Sequence, residues 1–141
     1  MATSTNTCQL GTKLTIRQVV AASRDVKLLE LPEGQRRQVV FCRETLDQLN
    51  SDEKPVYGVS TGFGHLENQW IPREKQSLLQ VNLIRSHAIG TGDEVPQEIT
   101  RVALILLANS LAKGHSGIRI ETLDRIILYL HNDIIPITYT I

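Results

Sequence analysis

Pro96-Gln97-Glu98-Ile99-Thr100-Arg101-Val102-Ala103-Leu104-Ile105-Leu106-Leu107-Ala108-Asn109-Ser110-Leu111-Ala112-Lys113-Gly114 is the stretch from which the fold class follows. Proline suits the first turn of a helix, where the donor it lacks would be orphaned anyway, and glycine suits the left-handed position just past the end. The spacing predicts a helix over 97–113. Val102 to Ala108 is apolar at every position, so such a helix needs neighbours on all sides. It is also far shorter than the roughly 18 residues of a membrane span.

Working outward, Thr15-Ile16-Arg17-Gln18 has the capping-box spacing, which predicts a helix from Ile16 to about Ser23. Between Glu33 and Leu49, the residues Val39, Cys42, Leu46 and Leu49 recur at three- and four-residue intervals among charged side chains, the pattern of an amphipathic helix. A third helix is expected after Pro72, with Leu79, Leu83 and Ile84 on one side. Another is expected near Thr122, with Leu123, Ile126, Ile127 and Leu130. The fold class is therefore mainly α. The connections Asn50 to Trp70 and Gly90 to Val95 are rich in small and polar residues, the usual place for chemistry. Residues 1–13 are expected to form a flexible N-terminus ahead of one domain over 14–141. The chain finishes on an apolar, β-branched tail, Asp133 to Ile141, which must either pack on this domain or mark a chain cut short.

With 15 Lys+Arg against 15 Asp+Glu, 41% hydrophobic and 21% charged residues, the composition is that of an ordinary globular protein. The balanced charge and 4% aromatic content argue against nucleic acid, which requires a basic footprint and stacking platforms. Cys8 and Cys42 make no disulfide framework and no C-x-x-C pair. Met1 to Thr7 lacks the basic and apolar regions of a signal peptide. A cytoplasmic location with no membrane partner is the expectation. His65, His87, His115 and His131 stand at no ligand spacing, so no metal is expected.

The densest local signal is Tyr57-Gly58-Val59-Ser60-Thr61-Gly62-Phe63-Gly64-His65. Glycines at 58, 62 and 64 suit a mobile loop that approaches a ligand closely, or simply a series of turns. A phosphate cradle is excluded because His65-Leu66 stands where Lys and Ser/Thr are required. Gly114-His115-Ser116-Gly117-Ile118 breaks the G-x-S-x-G pattern of a hydrolase elbow and follows a helix rather than a strand. It reads as a helix end and turn.

Taken in order, Val56 to Gly64, then Leu79-Gln80-Val81-Asn82-Leu83-Ile84-Arg85-Ser86-His87-Ala88-Ile89-Gly90-Thr91-Gly92, then Asn109 to Arg119 closely resemble the N-terminal region of the aromatic amino acid ammonia-lyases. The likeness runs from about Leu14 to Pro136. It implies the helical and loop N-terminal domain of that fold, ahead of a central helical bundle. It also implies a lyase that expels ammonia from an α-amino acid by means of an electrophilic methylidene-imidazolone, formed from an internal Ala-Ser-Gly. The β-proton of an amino acid is barely acidic, so its removal needs both a placed base and an electrophile. By resemblance Tyr57 is the catalytic base, on a mobile loop bounded by Gly58, Gly62 and Gly64 that closes over substrate. Ser86-His87 falls at the substrate-selecting pair. Its identity resembles the histidine-specific members, implying L-histidine as the small-molecule partner and urocanate as the product, in a homotetrameric family.

The resemblance fails at the end. Beyond Ile135-Pro136 the family continues to its Ala-Ser-Gly, whereas this sequence departs from the pattern at Thr138. The one Ala-Ser, Ala22-Ser23, is followed by Arg24. The electrophile precursor is missing, so the 141 residues alone are expected to be inactive and to match a lyase truncated before the bundle. The alternative expectation is a non-catalytic short paralogue that binds histidine or docks on a full-length lyase.

Overall fold

A computed structural model describes residues 7–51 and 55–140. It holds two units, one built from residues up to Glu44 together with those from Gly92 onward, the other from Thr45–Thr91. The boundary between the two units falls within the segment that the sequence suggested as one domain, 14–141. Among the described residues five α-helices dominate: α1 (Ile16–Arg24), α2 (Glu33–Ser51), α3 (Arg73–His87), α4 (Gln97–Leu111) and α5 (Ile120–His131). Two short strands, β1 (Cys8–Gln9) and β2 (Leu29–Glu30), pair in parallel with Cys8 opposite Leu29. No helix among the described residues is long and apolar enough to cross a membrane.

In the discontinuous unit, α1 begins as its capping box dictates. The Thr15 hydroxyl accepts from the Gln18 amide at 3.3 Å, and the Gln18 side chain accepts from the Thr15 amide at 2.9 Å. Its inner face, Val19 and Ala22, packs with Ile105 and Ala108 of α4 and Leu123 and Leu130 of α5 in a fully apolar core. Helix α4 ends two residues earlier than predicted, and Gly114 just beyond it takes φ +71°. A Cβ on Gly114 would lie 2.9 Å from the Gln38 backbone, so the turn requires glycine. The all-round cover expected for α4 is not seen in the described chain, where Leu106 and Leu107 remain 47% exposed.

Residues 1–6 of the segment expected to be flexible lie outside the described residues, but Cys8 and Leu10 are fully buried. The Leu10 amide donates to Glu30 O at 2.8 Å and the Gly11 amide to Asn109 Oδ1 at 2.8 Å. Backbone pairing thus anchors what composition alone suggested was loose. Helix α2 is tied to α5 by a bidentate pair, Arg36 to Asp124 at 2.9 and 2.6 Å. The apolar tail packs on this unit through Ile135. It also runs beside the start of the 92–95 segment, with Val95 N–H on Thr138 O and Thr140 N–H on Asp93 O, both 2.8 Å.

The contiguous unit consists of the end of α2, an irregular stretch and α3. An antiparallel bridge joins Thr61 to Trp70. The Ile71 amide donates to Ser60 O at 2.9 Å, and the Lys75 amide to Pro72 O at 2.8 Å as α3 begins. Of the three apolar residues expected on one side of α3, Leu79 and Leu83 are half-buried while Ile84 is 69% exposed. A step of one residue turns a helix by about 100°, and here that step carries Ile84 off the face on which Leu79 and Leu83 lie.

Candidate active site

All the site residues read from the sequence fall in the contiguous unit. Tyr57 sits at the tip of a turn closed by Val59 N–H and Ser60 N–H, both donating to Val56 O at 3.0 Å. The turn is latched from within by two buried hydroxyls. Ser60 Oγ accepts from the Val56 amide at 2.8 Å, and Thr61 Oγ1 accepts from the Gly58 amide at 3.3 Å. The sequence marks Ser60 and Thr61 only as loop residues, yet they are the buried polar residues that shape the turn.

The Tyr57 ring meets Phe63 edge-on, with centroids 5.8 Å apart and planes at 78°. Tyr57 as a residue is 62% exposed. Gly58 adopts φ +71°, and a Cβ there would come within 2.8 Å of the Phe63 ring. Gly62 answers a different need, since a Cβ would stand 2.5 Å from that of Leu66. Gly64 opens the short 3-10 turn Gly64–Leu66. The three glycines therefore serve backbone angle, close approach and a turn, respectively.

Ser86 and His87 close α3. The Ser86 hydroxyl donates to Leu83 O at 2.9 Å, and the His87 ring places Nδ1 2.9 Å from the same carbonyl and 3.0 Å from Ser86 Oγ. A carbonyl only accepts, so Nδ1 carries the proton in the neutral ring and Nε2 is left as an acceptor. The imidazole is thereby held by two contacts at one nitrogen, with the other free to receive an N–H. Gln80, two turns earlier on α3, donates from Nε2 to Gly58 O at 3.2 Å. It joins the helix bearing His87 to the turn bearing Tyr57. Sequence reasoning missed it, although its seven-residue spacing from His87 puts both on one helix face.

Three stretches in fixed order, a tyrosine turn, a Ser-His helix end and a glycine-capped helix, coincide with the family model for aromatic amino acid lyases over residues 14–140. The chain belongs to the aromatic amino acid lyase family. Among its relatives, the histidine ammonia-lyase of Caldanaerobacter subterraneus subsp. tengcongensis is 39% identical over 127 residues, covering 90% of this chain and 25% of that protein. The solved tyrosine aminomutase of Streptomyces globisporus superposes with a TM-score of 0.82 at 29% identity, over 90% of this chain and 24% of the other. Histidine ammonia-lyase from Trypanosoma cruzi gives 0.76 at 32%, over 87% and 24%. The chain spans about a quarter of the length of the curated family members it matches.

The 141 residues hold one Ala-Ser pair and no Ala-Ser-Gly. Ala22-Ser23 lies in α1, in the other unit, with Ser23 buried and its hydroxyl donated to Val20 O at 2.9 Å. Arg24 occupies the place of the glycine that an Ala-Ser-Gly cyclisation requires. Among the described residues, no three His, Cys, Asp or Glu side chains gather as a metal site.

Proposed function

We propose that these residues form the amino-terminal part of an ammonia-lyase of the histidine type, acting in the cytoplasm on L-histidine within a homotetramer. Tyr57 removes the β-proton of the substrate, the Cα–N bond breaks, ammonia departs and the new double bond gives urocanate. His87 selects the substrate by accepting the N–H of its imidazole at Nε2, and Ser86 helps hold the ring for that task. The observation that carries this reading is the pinned His87 imidazole, with Nδ1 against Leu83 O at 2.9 Å and Nε2 left to accept. A phenyl side chain offers that nitrogen no donor.

Lacking Ala-Ser-Gly, the 141 residues do not turn over histidine by themselves. The test is a chimera in which residues 14–140 replace the matched segment of the Caldanaerobacter enzyme, assayed by urocanate absorbance. The chimera turns over histidine, and Tyr57→Phe abolishes turnover. His87→Leu leaves a buried substrate N–H unpaired, which costs about 1–3 kcal/mol, or roughly 5- to 150-fold in kcat/KM. Equal activity of His87→Leu on histidine, or urocanate formed by the 141-residue chain alone, overturns the reading.

A further inference from the structure

We propose that Gln80 is a positioning residue that fastens the Tyr57 turn to the helix face carrying His87. The proposal rests on the reading of Tyr57 as base and His87 as selector. The turn is closed within itself by Ser60 and Thr61, and its base is held near the start of α3 through Ile71 N–H on Ser60 O and Gln76 Nε2 on Ile71 O at 3.3 Å. At the tip, the Gly58 amide on Thr61 Oγ1 and the Tyr57 ring on Phe63 are contacts within the turn itself, and neither reaches α3. Gln80 reaches that tip, donating to the carbonyl of the residue directly after Tyr57.

Gln80, Leu83 and His87 stand at i, i+3 and i+7, on one face of α3. Seven residues of helix rise about 10 Å, so the latch sets the tip two turns from the imidazole along one rigid element. A base and a selector on different segments must be held in one register, because small displacements at reacting groups cost large factors in rate. Gln80 is itself exposed, so replacing it creates no core cavity.

The first test uses the 141-residue chain and follows amide exchange at Val59 and Ser60, whose protection reports closure of the turn. Gln80→Glu, which removes the donor, speeds their exchange about fivefold, the worth of one net hydrogen bond. Gln80→Lys, which keeps a donor at similar reach, restores it. In the chimera, Gln80→Glu lowers kcat about fivefold with KM nearly unchanged, and Gln80→Lys recovers kcat. Unchanged exchange in Gln80→Glu, or equal loss in both variants, overturns the latch. If the Tyr57→Phe chimera stays active, the reading of the base fails while the exchange result still judges the latch.

Discussion

Replacing Gly58 by alanine attacks the Tyr57 turn at two places at once, and the two effects can be separated. At φ +71° a side chain costs about 1 kcal/mol of backbone strain. The new methyl would also lie 2.8 Å from Cε1 of Phe63, far inside ordinary contact, so that ring must swing away from Tyr57. Losing an edge-on aromatic pair costs roughly another 1 kcal/mol. The total is about 2 kcal/mol, which raises the open population of the turn about thirtyfold. Amide exchange at Val59 and Ser60, followed by NMR on the 141-residue chain, measures it. Phe63→Ala alone removes only the ring contact and speeds exchange about fivefold. Once the ring is gone the methyl strikes nothing, so Gly58→Ala with Phe63→Ala exchanges no faster than Gly58→Ala by itself. Exchange in Gly58→Ala within twofold of the parent, or strictly additive effects in the double variant, refutes the steric argument.

Asp124→Asn breaks the bidentate pair with Arg36. Both side chains are more than a third exposed, so the loss is about 0.5–1 kcal/mol, and urea denaturation shows it shrinking as salt is raised. Burial pushes the Cys8 thiol above its ordinary value of 9.0. As pH climbs, the unfolded chain therefore releases that proton first, and stability that is full at neutral pH declines above about 9. Cys8→Ser removes that decline, and a thiol reagent at neutral pH modifies the half-buried Cys42 before Cys8. Leu123, fully buried between helices, costs about 2–5 kcal/mol when cut to alanine, read as a lowered denaturation midpoint of its unit.

The helices were legible because their signals are local. The Thr15-Gln18 box, Pro96 and Gly114 each act on backbone groups within a few residues, and the structure realises each within a residue or two of its expected boundary. Cys8–Gln9 was not legible, since a strand of two residues has no periodicity and its burial depends on Glu30 and Asn109, both distant in sequence. The division into two units leaves no compositional seam either, because it falls inside the amphipathic pattern of α2. At the candidate site, Tyr57, Ser86 and His87 came from ordered motifs rather than from spacing or charge. Gln80 stayed hidden because a side chain meeting a backbone carbonyl 22 residues away writes no repeat into the sequence.

The bond from Gly11 to Asn109 spans 98 residues and carries a consequence for the order of events during synthesis. Residues 45–91, the contiguous unit, leave the ribosome as one uninterrupted stretch. The other unit waits with its first half in hand until α4 and α5 follow, because Ile105, Ala108, Leu123 and Leu130 complete the core that Val19 and Ala22 join. Through that interval Val19 and Ala22 lack the cover of α4 and α5, which is when a nascent chain is most open to capture by a chaperone.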